Sequence, residues 1–192
     1  MNMSEQKNSL RISIKKKIQE LSQSQKVRLS QQVVSTIEDN QHFIDCDLLC
    51  IYIPLATEVD VSPLIEQAFL KGASVAIGKV KHTTLTFHLI QPGYTDTLIK
   101  GKYGILEPPD KTPIVNISTY TKPLCIVPGL AFSITKDRLG RGKGFYDRFL
   151  STIENRVITM GVCFDCQLLE EVPHEDFDKP MDSIISDKRV IG

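Results

Sequence analysis

The sequence has no excess of charge, no membrane-length apolar run, no even set of cysteines and no cluster of histidines, and each absence removes a class of function. Lysine and arginine together number 23, as do aspartate and glutamate. A formal net charge of zero gives no global field toward nucleic acid or a membrane surface, so any anion site must be local. No stretch approaches the roughly 18 apolar residues of a membrane span, and the start of the chain lacks the apolar core of a secretory signal. The expectation is a cytoplasmic protein with no membrane and no nucleic-acid partner, although the basic amphipathic start is also compatible with an organellar presequence. Five cysteines leave one unpaired, and Cys50 and Cys125 fall within apolar strand-like runs, so all read as reduced thiols. Cys163-x-x-Cys166 lacks the second ligand pair of a zinc site and does not open an early helix as a redox motif does. His42, His82, His88 and His174 are scattered without ligand spacing and read as surface or locally satisfied. There is no internal repeat and no low-complexity segment.

What remains is an ordinary soluble composition, 41% hydrophobic and 24% charged over 192 residues. This length suits one domain, residues 1–192, with a core that needs no disulfide or structural metal. Leu10, Ile14, Ile18 and Leu21 recur at helical spacing, with Lys7, Arg11 and Lys15 four apart on another face that reads as solvated. Ser22-x-x-Gln25 has the form of a capping box, and Val27, Val33, Val34 and Ile37 mark a second helix. Residues 48–53 (LLCIYI), halted by Pro54, predict a strand buried on both faces. A helix over residues 62–71 follows, then strands at 74–77 and 85–90 joined by a turn at 79–83. Residues 91–115 form a long Gly-, Pro- and Thr-rich excursion, residues 124–127 and 156–164 are further strands, and residues 181–185 and 190–191 suggest short closing strands. Two helices followed by strands alternating with helices predict an α/β sandwich with a largely parallel central sheet.

The strongest chemical signal is residues 127–150, VPGLAFSITKDRLGRGKGFYDRFL. Gly140, Gly142 and Gly144 alternate with Arg141 and Lys143, a backbone free to approach a ligand combined with positive charge. Phe145 and Tyr146 then resume apolar spacing, so the loop feeds a helix whose free N–H groups favour phosphate. A flexible basic surface loop has the same composition. A P-loop would need Ser or Thr after the lysine, where Gly144 stands, and the dinucleotide fingerprint has a different final spacing and an earlier place in the chain.

Arg138–Arg148 (RLGRGKGFYDR) with the upstream VPGLAF resembles the signature of the 5-formyltetrahydrofolate cyclo-ligase family, also called methenyltetrahydrofolate synthetases. Lys7-x-x-x-Arg11, Thr57 to Val61, Gly104 to Pro108, and Val172-Pro173 followed by Asp178 and Asp182 are similar to the family's other landmarks, in the family's order. The resemblance implies a three-layer sandwich similar to the sugar-phosphate isomerase and CoA-transferase group. It implies an ATP-dependent ligase that uses Mg²⁺ to close 5-formyltetrahydrofolate to 5,10-methenyltetrahydrofolate with release of ADP and phosphate, and a monomer is the expectation. Under it, Lys7, Arg11, Arg138, Leu139, Gly140, Arg141, Gly142, Lys143, Gly144, Phe145 and Tyr146 contact ATP. Ile53 and Glu58 join Arg141 to Phe145 around the folate, Asp147 and Asp178 hold the metal, and Arg141, Lys143 and Tyr146 serve catalysis. From the residues alone, Ile53 reads equally as core packing and Glu58 as an exposed loop carboxylate, although its place just beyond a strand end is where open α/β sheets bind ligands. Asp182 aligns with the family as well, but reads equally as capping or bracing a strand. Three positions depart from the family pattern: Gly78 stands for a proline, Ser133 for an aspartate and Phe177 for a histidine. Two other readings remain: a non-catalytic relative that binds nucleotide or RNA through the basic loop, and a sugar-phosphate isomerase of similar fold, which would need neither ATP nor magnesium.

Overall fold

The computed structural model describes residues 2–101, 104–153, 157–175 and 178–192. Two helices come first. α1 (Met3–Glu20) is capped by Asn2, whose side chain accepts from the Glu5 amide while Glu5 returns a bond to the Asn2 N–H. α2 (Gln23–Glu38) starts at the Ser22/Gln25 capping box, with both reciprocal bonds made. The short α3 (Gln41–Asp45), capped by Asn40, has no periodic signal in five residues. β1 (Leu48–Ile51), α4 (Pro63–Leu70), β2 (Ser74–Lys81) and β3 (Thr84–Ile90) follow. Within the excursion lie the two-residue strands β4 (Ile99–Lys100) and β5 (Leu106–Glu107). Then come β6 (Pro123–Pro128), β7 (Ala131–Ser133), β8 (Arg138–Leu139), α5 (Phe145–Leu150), β9 (Ile158–Val162), β10 (Leu168–Leu169), β11 (Ser183–Ile185) and β12 (Val190–Ile191).

The central sheet has seven strands in the order β12-β11-β9-β6-β1-β2-β3. β11, β9, β6, β1 and β2 run parallel, and β12 and β3 close the two edges antiparallel. Because side chains alternate across a strand, each parallel strand divides its apolar residues between two cores. Leu49, Ile51, Val75, Ile77, Leu124 and Ile126 face α2 and α4 through Val33, Ile37, Leu64 and Ile65. Leu48, Cys50, Ala76, Cys125 and Val127 face the other way, onto Phe132, Phe149, Leu150 and Leu168. Burial on both faces explains why LLCIYI carries no polar alternation. A third cluster seats Ile14 and Ile18 of α1 on Leu130, Leu139 and Val172, beside the small sheet β10-β7-β8. The chain is thus the mixed α/β fold, with a mostly parallel sheet, that the element order predicts.

Several boundaries differ from expectation. β1 stops at Ile51, so Tyr52 and Ile53 leave the sheet. The turn expected at residues 79–83 is strand as far as Lys81, with the reversal at His82, whose φ is 56°. Alternating Val80 and Leu85 continue the β2/β3 ladder, which a window of charged residues concealed. Gly78 therefore lies inside a strand, opposite Phe87, rather than in a loop. Val27 is 49% exposed and stands outside the α2 core. The last long strand begins at Ile158, and Arg156, where it was expected to begin, lies outside the described residues.

Candidate active site

The crossover pattern fixes where a ligand can enter. From β1 the chain moves to β2 on one side, and later elements place β6 on the other, so the loops leaving the carboxyl ends of β1 and β6 diverge. That switch point opens a crevice in α/β sheets. Here it is a cavity of about 420 Å³. Tyr52, Ile53, Leu55 and Glu58 after β1, Pro128 and Gly129 at the end of β6, the β2/β3 wall, Ile105 with Glu107, and the glycine loop line it.

The loop's shape comes from its glycines. Gly142 and Gly144 take φ of 91° and 64°, a left-handed backbone that a β-carbon strongly disfavours. Gly144 is also the N-cap of the six-residue α5. Arg148 staples the loop to the hairpin, donating from Nε and Nη2 to the Thr83 carbonyl and from Nη2 to the Lys143 carbonyl. At the other end of the loop, Ser133 is fully buried and accepts from the Asp137 amide while its hydroxyl reaches the Asp137 carboxylate at 2.9 Å.

Electrostatics inside the cavity are paired. Arg141 donates through Nε and Nη2 to Glu58 Oε1 at 3.1 and 2.9 Å, and through Nη2 to Thr57 Oγ1 at 3.0 Å. The other Glu58 oxygen accepts from the Leu55 amide. Arg138 is buried, pairs with Asp147 Oδ1, lies 5.6 Å from the Tyr146 ring, and leaves its Nε without a partner. Burial pushes the phenols of Tyr52 and Tyr146 well above their ordinary range. Tyr52 donates to the Val59 carbonyl. Both therefore stay protonated at neutral pH. Lys143 is exposed on the cavity rim.

Of the residues singled out from the sequence, Ile53, Glu58, Arg138, Gly140, Arg141, Lys143, Gly144, Phe145, Tyr146 and Asp147 line this one cavity. Arg11 sits behind the loop, donating to the Gly140 carbonyl, and packs where a β-carbon on Gly142 would point. Leu139 is 2% exposed and turns into the α1 core. Lys7 and Asp178 meet each other instead: Lys7 Nζ is 2.7 Å from Asp178 Oδ2 and 2.7 Å from Glu175 Oε2. Burial acting to lower the Lys7 pKa is outweighed by these two acids, and the net shift is upward. Neither residue lines the cavity. Phe177 lies outside the described residues. Asp182 braces β9, its Oδ2 accepting from the Thr159 amide and hydroxyl. The thiols of Cys163 and Cys166 are free, and among the described residues no three His, Cys, Asp or Glu side chains form a metal-ligand group. His88 is buried and satisfied by Thr86 and the Thr112 carbonyl.

Some cavity residues carry no signal that spacing could reveal. Gly78, Val80 and Leu85 are strand residues whose placement depends on the hairpin. Lys15 shares the four-residue spacing of Lys7 and Arg11, and that shared face was the available clue. Glu107 belongs to the Gly104 to Pro108 landmark, but nothing local marks it as buried.

Comparison with known proteins bears on the chain as a whole. The model of the 5-formyltetrahydrofolate cyclo-ligase family matches residues 3–187. The chain belongs to that family. Among cyclo-ligase relatives, the probable 5-formyltetrahydrofolate cyclo-ligase of Schizosaccharomyces pombe is 29% identical over 98% of both chains. The 5-formyltetrahydrofolate cyclo-ligase of Escherichia coli K12 is 27% identical over 92% of this chain and 98% of its own. The NMR structure of Aquifex aeolicus 5,10-methenyltetrahydrofolate synthetase superposes with a TM-score of 0.82 at 31% identity, covering 96% of this chain and 91% of that one. A Mycoplasma pneumoniae 5,10-methenyltetrahydrofolate synthetase, at 22% identity and TM-score 0.75, shares the fold. Among the described residues, no helix of this cyclo-ligase family member is long and apolar enough to cross a membrane.

Proposed function

We propose that this chain closes 5-formyltetrahydrofolate to 5,10-methenyltetrahydrofolate at the expense of ATP, releasing ADP and phosphate. The observation that carries the reading is the meeting, in one cavity at the sheet's switch point, of Glu58 from the β1 exit with Arg141 and Lys143 of the glycine loop. Family membership supplies the reaction class. The chemical obstacle is the formamide oxygen, which is a poor leaving group. Transfer of the γ-phosphoryl group to that oxygen breaks the bond to ADP and makes the oxygen leave as phosphate. N10 then attacks the formyl carbon with its lone pair, the C–O bond breaks, and N10 loses its proton to give the conjugated cation.

Such transfer asks the protein for position and charge. Arg141 and Lys143 would lie along the phosphates, with Arg138 and its unpartnered Nε behind them. Tyr146, kept protonated by burial, is a hydrogen-bond donor on the same wall. Arg11 holds the loop from behind through the Gly140 carbonyl. Magnesium takes one or two carboxylates together with phosphate oxygens and water, which Asp147 fits from within the cavity, while Asp178 lies outside the cavity lining and would join only on release from Lys7. Asp147 lines the cavity and has an oxygen beyond the one that engages Arg138, and Asp178 has one beyond the one that Lys7 engages. Bound there, the ion would offset negative charge on the phosphoryl oxygens. Lys7 would pass from these acids to the nucleotide when both substrates are present.

The test is absorbance followed by isotope. Incubation with 5-formyltetrahydrofolate, ATP and Mg²⁺ should produce the near-ultraviolet band of the methenyl product, and substrate carrying ¹⁸O in its formyl group should deliver the label to inorganic phosphate. No band with any nucleotide would leave a binding relative instead of an enzyme. A band with unlabelled phosphate would keep the activity and refute the phosphorylated oxygen.

A further inference from the structure

Three carboxylates line the cavity, and they differ in one respect. Glu58 is bound at both oxygens, by Arg141 and by the Leu55 amide, and Asp147 is bound by Arg138. Glu107 is 5% exposed, lines the same cavity, and has no hydrogen-bond or ion-pair partner among the described residues. Its oxygens are not among the buried side-chain atoms left unsatisfied, so they open onto the cavity, where water serves them until a ligand with matching donors takes its place. Its surroundings narrow what that is. Gly78, Val80, Leu85 and Ile105 share this wall and present apolar surface to a flat ring. The backbone that carries Glu107 is held in place: β5 pairs with β4, and Lys79, buried in β2, donates to the adjacent Pro108 carbonyl at 2.6 Å and pairs with Asp110 at 2.7 Å. Against the carboxylate lies Gly101, where a β-carbon would overlap it.

We propose that Glu107 is a specificity-determining residue for the folate, accepting two parallel hydrogen bonds from the 2-amino-4-oxopyrimidine edge of its pterin, one from N3–H and one from the 2-amino group. This rests on the folate reading above. A planar pair of adjacent N–H donors matches the two oxygens of a carboxylate, and such a charge-assisted pair is short and strong. Adenine does not match, because its amino group stands beside a ring acceptor. A ribose diol does offer two donors, and the experiment separates it.

The measurement is calorimetric binding of 5-formyltetrahydrofolate, of its 2-desamino analogue and of ATP, to the wild type and to two variants. Glu107→Gln removes one acceptor, and Gly101→Ala keeps the glutamate but displaces its carboxylate. The wild type should prefer the natural folate over the analogue by roughly tenfold to a hundredfold, the range of a buried hydrogen bond to a charged group. Both variants should lose most of that preference, with ATP affinity and thermal unfolding midpoint held. Should Glu107→Gln fail to fold, Gly101→Ala and Glu107→Asp carry the same comparison. Discrimination unchanged in the folded variants overturns the assignment while leaving the folate reading intact. Loss of ATP affinity overturns it in favour of the nucleotide's ribose. A wild type that binds neither folate overturns both readings together.

Discussion

The central sheet and the glycine loop at its carboxyl edge are built on opposite terms. β1 is fully buried and apolar on both faces, whereas Arg141 and Lys143 are exposed on a backbone bent through left-handed glycines. The sheet is held by burial, worth about 25 cal/mol per Å² of apolar surface. The loop is held by a few directed bonds, from Arg11, Arg138 and Arg148 to carbonyls and to Asp147. Under the proposed function, stability and chemistry reside in different residues, and substitutions should separate them.

The largest separation should come from Phe132→Ala, which empties a fully buried site against Gly129 and Gly161. Denaturant unfolding should show a loss of about 3–5 kcal/mol, while the folded fraction retains its KM values. Lys143→Ala should do the reverse, lowering turnover by about 10²–10³-fold. As an exposed substitution it should change stability by no more than about 0.5 kcal/mol. Equal losses of fold and activity in Lys143→Ala would erase the distinction between the two regions.

Asp147→Asn probes the seam between them, because it removes a carboxylate from the cavity and also leaves the buried Arg138 without its counter-charge. It should raise the magnesium concentration needed for half-maximal rate and also lower the unfolding midpoint. A magnesium titration that overlays the wild type would remove Asp147 from the metal site. Glu58→Gln should raise the folate KM by about tenfold, the loss of one charge-assisted bond, with ATP affinity nearly unchanged, since the proposed function assigns Glu58 to the folate and not to the nucleotide. A collapse of ATP affinity would move Glu58 to the nucleotide.

The smallest effect belongs to the scaffold. At Asp47, desolvation that would raise the pKa is outweighed by hydrogen bonds from Thr121 and Lys122, and the net shift is downward. A depressed folded-state pKa contributes stability above the unfolded value of about 3.9 and loses it as pH falls through the folded value. Unfolding of wild type and Asp47→Asn should therefore converge at acid pH and differ at neutral pH by at most about 1 kcal/mol, given the exposure of the site. A difference that persists at the acid end would assign the effect to packing.

Much of this division is legible in local pattern. The Ser22/Gln25 capping box, the stripe Leu10, Ile14, Ile18 and the unalternating LLCIYI run each state a local preference that the fold keeps. The β2/β3 hairpin is less legible, because Lys79 and Lys81 look like turn residues until Lys79 is seen reaching Pro108 and Asp110. The cavity reads unevenly for the same reason. The run from Arg138 to Asp147 announces itself through composition, whereas Glu107, Gly78 and Leu85 become neighbours only through strand pairing.

The sequence by itself determined the α/β class, the start of α2, the two-faced burial of the parallel strands and the basic, glycine-rich composition of the loop, because each follows from residue type and spacing over a few neighbours. Only the tertiary structure decided which charges meet. Arg141 and Glu58 are 83 residues apart and Lys7 and Asp178 are 171 apart, yet both pairs close at hydrogen-bond distance. The physical reason is that ion pairing and desolvation depend on distance in space, which strand order sets and local spacing does not encode.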